Sequence, residues 1–307
     1  MRPLSTVLLV CAALTASTAL GQSLSIVKEG ASNYWVEASA PPNNPHALRA
    51  SDNLHLWVDI HDEVQGQYSY RFHGSRVAQR YFRLTPSTPP SPPIRVMLLG
   101  DSMTSDCCGW GQGIYDYFKP NATLINYAMS WTSTKVFLRS AELDKMLVVK
   151  PDYVLIQYGY MDQAAGTDLI DSYTTLDEFA DNLRTIVKMV RGFNGVPILV
   201  TLHSARVWDA NGKVIPTWQD RNAVTKQVAS ELQTPLIDLN QLTFDLFNEL
   251  GPSCQEWMRL QGFVPEDVMH LSLAGAQFVA RLVVNALPDS LGPYLIGILD
   301  QPSIPQP

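Results

Sequence analysis

The sequence predicts an α/β protein built on a parallel β-sheet, with a smaller β-rich region in front of it. After residue 94, short apolar runs alternate with helix-like stretches, which is the pattern of βα units. Before residue 85 the apolar residues tend to alternate, as in Leu54 to Ile60 and Tyr68 to Phe72, which is typical of short strands. A proline-rich stretch at 85–93 separates the two patterns and is predicted to be an extended linker.

The first 21 residues have the parts of a secretory signal peptide. Arg2 supplies the positive end, an apolar run extends from Val7 to Leu14, and Ala19-Leu20-Gly21 is a small-x-small cleavage site. We therefore expect residues 1–21 to be removed and the protein to be secreted. The remainder is predicted to divide into a small β-rich domain (22–84), the linker (85–93), an α/β domain (94–290) and a proline-rich tail (291–307).

Five strands and three helices are predicted in the α/β domain. The strands are Ile94–Leu99, Thr123–Asn126, Tyr153–Gln157, Pro197–Thr201 and Pro235–Asp238. Helix-like spacing covers Leu176–Val190, Trp218–Leu232 and Ala274–Leu287. Because parallel sheets of this kind bind ligands at the carboxyl ends of their strands, we expect the functional side chains there.

The composition limits the classes of partner and cofactor that the protein is expected to bind. The 307 residues carry a net charge of −7 without an evident basic patch, which disfavours nucleic acid and anionic membranes as partners. No stretch after the signal is long and apolar enough to span a bilayer, so no membrane span is expected. The cysteines lack zinc-type spacing, and we expect neither a metal nor another cofactor. A neutral or weakly charged substrate fits this composition.

Three cysteines remain once Cys11 leaves with the signal peptide. Because export exposes thiols to an oxidising compartment, we expect Cys254 to form a disulfide with Cys107 or Cys108. The third thiol would then stay unpaired. The adjacent Cys107 and Cys108 are not expected to pair with each other, because the small ring that they would close is strained.

Ser102 is the candidate nucleophile. It follows a predicted buried strand and the tight turn that Gly100 allows, where a serine hydroxyl can be presented to a substrate. Taken alone, Gly-Asp-Ser is a weak pattern, and the serine could simply cap a helix. The residues that follow strengthen the catalytic interpretation.

A nucleophilic serine needs a base, and His203 and His270 are the two histidines after the linker. Asp267 lies three residues before His270, where a carboxylate can fix the imidazole tautomer and stabilise the imidazolium. His203 has no acid at short range and is expected to be a pocket wall or a structural histidine. We therefore predict a relay of Ser102, His270 and Asp267.

Six short motifs occur in a fixed order. They are Gly100-Asp101-Ser102, Gly109-Trp110-Gly111, Asn126-Tyr127-Ala128, Tyr158 to Gln163, Pro235 to Asn240, and Asp267 to Ala276. Together they resemble the motifs of SGNH (GDSL-type) hydrolases, and most closely those of rhamnogalacturonan acetylesterases and related carbohydrate esterases. The resemblance covers about residues 94–287. It implies a flavodoxin-like three-layer α/β/α domain that needs no metal and hydrolyses small acyl esters, commonly acetyl groups on plant polysaccharides.

The resemblance also implies an oxyanion hole, which in this family combines the N–H of the nucleophile with a glycine and an asparagine. In this sequence Trp131, or Ser130 if the register slips by one, stands at the glycine, and Met161 stands at the asparagine. A thioether cannot donate a hydrogen bond, and the loss of one such donor typically costs roughly 3 to 4 kcal/mol. Residues expected around the substrate are Asp101, Tyr160, Asp162 and His203.

The predicted function is a secreted serine esterase that deacetylates acylated carbohydrate. The first alternative is a carbohydrate-binding descendant that is non-hydrolytic or only weakly active. The second is an enzyme that uses the same scaffold for other sugar chemistry, such as acyl transfer or glycosidic cleavage by Asp101, Asp162 or Asp267. An α/β-hydrolase lipase fits less well, because the sequence has no Gly-x-Ser-x-Gly motif.

Overall fold

The computed structural model of the chain describes residues 91–163, 171–262 and 266–296, together with seven strands that precede residue 87. These strands are β1 (Leu9–Ala12), β2 (Ser23–Glu29), β3 (Asn33–Ala40), β4 (His46–Ser51), β5 (Val58–Val64), β6 (Gly66–His73) and β7 (Gln79–Pro86). The predicted cleavage site at 19–21, linker residues 87–90 and tail residues 297–307 lie outside the described residues.

The chain divides into two compact units. The smaller unit contains the residues up to Pro92, with 117–121 and the segment that follows residue 286. Its strands form a three-stranded sheet in the order β2-β3-β6 and a four-stranded sheet in the order β1-β7-β4-β5. The existence of a separate small β-rich domain stays a prediction.

The larger unit is built on a five-stranded sheet in the order β12-β11-β10-β8-β9. Its strands are β8 (Ile94–Gly100), β9 (Ala122–Asn126), β10 (Tyr153–Gln157), β11 (Val196–Val200) and β12 (Leu236–Ile237). Every neighbouring pair is parallel, and counted within this unit the order is 2-1-3-4-5, as in flavodoxin-like sheets. The predicted parallel-sheet α/β fold is confirmed.

Seven helices accompany this sheet in the described part of the chain. They are α1 (Thr134–Phe137), α2 (Ala141–Val149), α3 (Leu176–Gly192), α4 (Gln219–Glu231), α5 (Leu239–Leu250), α6 (Gln255–Met258) and α7 (Leu273–Asn285). The predicted helices correspond to α3, α4 and α7. Helix α3 begins at a capping box in which Thr175 and Glu178 bind each other's backbone N–H groups. No described helix is long and apolar enough to cross a membrane.

Both faces of the sheet are buried, as a parallel sheet between two helical layers requires. Met97 of β8 packs in a hydrophobic cluster with Leu183 of α3 and Val228 of α4. Val96 and Leu98 alternate with Met97 along the strand, so they point to the opposite face, and they are fully buried too. The apolar run of β8 is therefore continuous rather than alternating.

Gln157, the last residue of β10, joins three parts of the chain at the carboxyl ends of the strands. Its Oε1 accepts hydrogen bonds from Thr104 Oγ1 at 2.6 Å and from Trp110 Nε1 at 2.8 Å. Its Nε2 donates to the Thr201 carbonyl at 2.8 Å. Because the amide is fully buried and both its oxygen and its nitrogen are hydrogen-bonded, it fixes the loop after β8 against the end of β11.

The cysteines do not pair as predicted. Cys107, Cys108 and Cys254 are all free, so the expected disulfide of Cys254 is wrong. Cys107 Sγ lies 2.7 Å from Cys108 Sγ and 3.8 Å from Ser130 Oγ, whereas the buried Cys254 lies within the field of the Arg206 guanidinium. The thiols thus have different surroundings in the fold, and the number of cysteines in the sequence could not predict this.

Candidate active site

The turn after β8 presents Ser102 at the carboxyl end of the sheet. The N–H groups of Thr104 and Ser105 both donate to the Asp101 carbonyl, at 3.1 and 3.2 Å, which closes the turn. A Cβ on Gly100 would lie 2.5 Å from Thr104 Oγ1 and 2.6 Å from the Gln157 carbonyl oxygen. Glycine is therefore required at the point where the strand turns.

The structure brings together the three residues of the predicted relay. His270 Nε2 lies 2.8 Å from Ser102 Oγ, and His270 Nδ1 lies 2.8 Å from Asp267 Oδ2. With Nδ1–H donating to the carboxylate, Nε2 carries no proton and can accept the one from the serine. This geometry is that of a nucleophile, a general base and an orienting acid.

Asp267 is held in its ionised form. Its Oδ1 accepts the N–H groups of Met269 at 2.8 Å and His270 at 2.9 Å, while Oδ2 faces the imidazole. Burial opposes ionisation, but the two amides and the adjacent ring outweigh it and keep the pKa of Asp267 below its usual value. The carboxylate therefore fixes the tautomer of His270 at neutral pH.

Arg206, which the sequence analysis missed, fixes the loop that carries the acid and the base. Its buried guanidinium donates to the carbonyls of His270 at 2.7 Å and Met269 at 3.3 Å, and to Gln255 Oε1 at 2.6 Å. Gln255 Nε2 in turn donates to the Asp267 carbonyl at 2.7 Å. Burial lowers the pKa of Arg206 to about 10, so the side chain stays charged at neutral pH.

A cavity of about 250 Å³ opens beside Ser102. It is lined by Ser102, Ser130, Trp131, Tyr160, Met161, Glu266, Asp267, Val268, Met269 and His270. Glu266, Val268 and Met269 were not predicted, although their position next to the relay residues was a usable signal. Across the residues that the structure describes, no group of three or more His, Cys, Asp or Glu side chains is arranged to hold a metal ion.

Two backbone N–H groups at the cavity are available to a ligand. Within the described residues, neither the Ser102 N–H nor the Trp131 N–H donates to a protein acceptor. Trp131 has a positive φ of 70° and its side chain is exposed. Unpaired N–H groups beside a nucleophile are the usual donors to a developing oxyanion.

The remaining cavity residues are more apolar. Met161 is buried at the cavity wall and offers a thioether, which cannot donate a hydrogen bond. Tyr160 is half-buried, with its ring edge-on to Trp218 at a centroid distance of 5.2 Å. Burial, with smaller contributions from Asp101 and Asp267, raises the pKa of Tyr160, so its hydroxyl remains a donor.

Two carboxylates that were expected at the substrate are sealed from the cavity. Asp101 is fully buried, with Oδ1 accepting the Met103 N–H at 2.9 Å, and burial raises its pKa to about 7. Asp162 is fully buried and binds the N–H and hydroxyl of Thr134 and the hydroxyl of Thr174. It therefore anchors the start of α1. Neither side chain lines the cavity, and their role as substrate-binding residues stays a prediction.

His203 is also sealed from the cavity. It is fully buried, and its Nδ1 donates to the Ser204 carbonyl at 3.0 Å. Burial lowers the pKa of His203 to about 3, which keeps the ring neutral. Its burial fits the expected structural role, and its expected place at the substrate stays a prediction. Of the four residues predicted there, Tyr160 alone lines the cavity.

Comparison with known proteins places the site within a matched segment. Residues 98–278 match the GDSL-like lipase/acylhydrolase family. Rhamnogalacturonan acetylesterase RhgT of Bacillus subtilis (strain 168) is 33% identical over 216 residues, which are 64% of this chain and 90% of the relative. Probable rhamnogalacturonan acetylesterase YesY of the same strain is 28% identical over 199 residues, 62% of this chain and 88% of that protein. The crystal structure of YxiM from Bacillus subtilis has a TM-score of 0.56 at 21% identity, and covers 83% of this chain and 79% of its own.

Proposed function

Because the chain belongs to the GDSL-like lipase/acylhydrolase family, we propose that it is a secreted serine esterase that removes acetyl groups from carbohydrate. One observation carries the proposal, namely the continuous hydrogen-bonded path from Ser102 Oγ through His270 to Asp267, with both contacts at 2.8 Å. Such a path activates a serine for acyl transfer. The family match alone would not identify the working residues.

In the first half of the reaction Ser102 Oγ attacks the acetyl carbonyl carbon while His270 Nε2 takes the hydroxyl proton. Asp267 stabilises the imidazolium that forms. The negative charge on the carbonyl oxygen is accepted by the N–H groups of Ser102 and Trp131. When the tetrahedral intermediate collapses, His270 returns its proton to the departing sugar oxygen, and an acetyl group is left on Ser102.

In the second half a water molecule takes the place of the sugar. His270 Nε2 removes a proton from that water, which attacks the acetyl carbon, and the same oxyanion donors act again. Collapse of the second intermediate releases acetate, and His270 returns the proton to Ser102 Oγ. The protein ends in its starting state.

The substrate class is supported by the relatives and by the cavity. RhgT and YesY are named as rhamnogalacturonan acetylesterases, and the chain covers most of their length. The cavity of about 250 Å³ includes Met161 in its lining, an apolar side chain suited to a small acyl methyl. Export is supported by the signal-like first 21 residues, and N-terminal sequencing of the protein from culture medium would test it, with residue 22 expected first.

Met161 favours a second candidate, a carbohydrate-binding descendant with little turnover. It puts an apolar group where the resemblance expects an oxyanion donor, so the transition state has two backbone N–H groups rather than three donors. Glycosidic cleavage by Asp101 or Asp162 is not supported, because neither side chain lines the cavity.

The decisive experiment compares wild type with Ser102→Ala. We expect wild type to hydrolyse 4-nitrophenyl acetate and to release acetate from acetylated rhamnogalacturonan, and Ser102→Ala to lose about 10³-fold or more of both activities. Unchanged activity in Ser102→Ala would contradict the proposal. Saturable oligosaccharide binding without acetate release by wild type would favour the binding descendant.

A further inference from the structure

Trp131 combines three features that folding alone does not explain. Its backbone has a φ of 70°, in the left-handed region that bulky residues rarely adopt. Its side chain is 57% exposed, so the indole regains little stabilisation from burial. It lines the same cavity as Ser102 and His270. Backbone strain without compensating packing is characteristic of functional positions.

Two other residues with positive φ, Lys150 and Gln233, have an ordinary structural reason. Lys150 caps the C-terminal end of α2 at a φ of 48°, and Gln233 follows the end of α4 at a φ of 48°. Helices often end in this conformation. Trp131 ends no helix, and the next helix starts only at Thr134 with Ser133 as its N-cap.

The chemistry of an acetylated sugar places a ring close to Trp131. In a sugar acetate, a single oxygen separates the acyl carbon from a ring carbon. When the acyl carbon meets Ser102 Oγ, the ring must therefore lie against residues that line the same cavity. A pyranose ring has an apolar C–H face that suits the flat, apolar face of an exposed indole.

We propose that Trp131 is the platform on which the substrate's sugar ring stacks, and that it determines the preference for carbohydrate esters over other acetates. This inference rests on the proposed function. Tyr160, held edge-on by Trp218, lies on the same cavity and offers a protonated hydroxyl to the ring, and Glu266 offers an exposed carboxylate to sugar hydroxyls. Trp131 acts through substrate binding, and its N–H serves the oxyanion whatever the side chain.

The kinetic test compares Trp131→Gly and Trp131→Phe on two substrates, an acetylated rhamnogalacturonan oligosaccharide and 4-nitrophenyl acetate. For Trp131→Gly we expect the loss of kcat/KM to be at least about tenfold greater on the oligosaccharide, mainly through KM, because the aryl ester presents no pyranose. Trp131→Phe should retain much of the preference. Equal losses of kcat/KM on both substrates would overturn the proposal. A larger loss on 4-nitrophenyl hexanoate than on 4-nitrophenyl acetate would also overturn it, because Trp131 would then line a pocket for the acyl chain.

Thermal unfolding separates a binding role from a packing role. Glycine adopts a φ of 70° without strain, so Trp131→Gly should leave Tm unchanged or raise it. Gln233→Gly is the matched control, since Gln233 is exposed, also has a positive φ and lies outside the cavity lining. A fall in Tm of several degrees for Trp131→Gly alone would show that the indole packs the structure, and would count against the platform.

A binding measurement keeps this inference distinct from the proposed function. In Ser102→Ala, the acetylated oligosaccharide should change the intrinsic tryptophan fluorescence saturably, and Ser102→Ala combined with Trp131→Gly should bind at least about tenfold more weakly. This result would support the platform even if wild type hydrolysed no ester. Equal affinity in the two variants, or no saturable change in either, would overturn the platform while Ser102-dependent hydrolysis remained intact.

Discussion

The cavity lining divides along the sequence into a relay half (Ser102 and 266–270) and a second half (130–131 and 160–161), each supported by a buried arginine. In the relay half, the buried Arg206 donates to the carbonyls of Met269 and His270 and holds the loop of Asp267. Next to the second half, the buried Arg221 donates to the Asp162 carbonyl at 3.0 Å. Each half thus has a buried guanidinium that binds the backbone of its own loop.

The side chains that face the cavity differ between the two halves. The relay half presents Ser102, Asp267 and His270, whereas the second half presents the Met161 thioether and the Trp131 indole beside two hydroxyls. The bonds of Asp162 to Thr134 and Thr174 hold the loop of this second half whatever side chain occupies position 161. The comparison indicates that side chains lining the cavity can change while the buried hydrogen bonds that hold their loops are kept.

Asp267→Asn is expected to have the largest effect, because it removes the charge on which the relay half depends. The amide nitrogen would face His270 Nδ1 and favour the wrong imidazole tautomer, while the side-chain oxygen could still accept the two backbone N–H groups. We expect kcat on 4-nitrophenyl acetate to fall about 10³- to 10⁴-fold with little change in Tm. A fall below tenfold would mean that the acid is dispensable and that the halves differ less than proposed.

Arg206→Lys and Arg221→Lys test whether each buried arginine supports only the loop that it binds. A lysine at 206 keeps the charge but cannot bind Gln255 and the His270 and Met269 carbonyls together, so the relay loop loses its fixed position. We expect kcat to fall about 10- to 100-fold with KM nearly constant. Arg221→Lys should lower kcat by about threefold or less, since no relay residue depends on it. Equal losses of kcat in the two variants would show that catalysis does not depend more on Arg206 than on Arg221.

Met161→Asn would restore a hydrogen-bond donor to the second half of the cavity. The new amide acts on charge that develops in the transition state, so kcat should rise by about tenfold or more while KM stays nearly unchanged. The gain should vanish when Ser102→Ala is added. An unchanged or lower kcat on an acetylated pectin fragment would show that a missing donor is not what limits the reaction. In that case the unpaired amide would only add a desolvation cost at this position.

Asp101→Asn is expected to have the smallest effect on rate, because it acts on the pH dependence of stability. With a folded pKa of about 7 against an ordinary value of 3.8, native Asp101 binds a proton that the unfolded chain releases. The free energy of unfolding should therefore fall as pH rises from about 4 to 7, by at most roughly 4 kcal/mol. Asp267, whose folded pKa is lowered, contributes in the opposite sense and loses its contribution only as pH falls below about 4. Urea unfolding at pH 4.5 and 7.5 should show a smaller decline for Asp101→Asn than for wild type, and parallel declines would refute the assignment.

Local signals explain what the sequence could predict. The five strands are short apolar runs between breaks, and Asp267 lies three residues from His270, so neither prediction needed knowledge of distant contacts. Ser102 was identified by the strand and turn before it. The resemblance placed Trp131 at a glycine position, and its positive φ supplies the physical reason that glycine suits that position.

Features that depend on tertiary contacts escaped prediction. Arg206 reaches a backbone oxygen 64 residues away, and no local pattern marks such an arginine. The burial of Asp101 and His203 depends on what packs over them, so both looked like polar residues near a site. The disulfide prediction failed for the same reason, because the count of cysteines says nothing about which thiols come within bonding distance.

The hydrogen bonds of Gln157 affect the order in which the molecule is assembled. Its partners Thr104, Trp110 and Thr201 lie 53, 47 and 44 residues away along the chain. Contacts of such sequence separation form late, because the entropy of closing the intervening loops must first be overcome. We expect helices such as α3 to form early, and the turn that holds the nucleophile to be supported only when β8, β10 and β11 have paired. We therefore expect a refolding chain to recover its helical content before its reactivity.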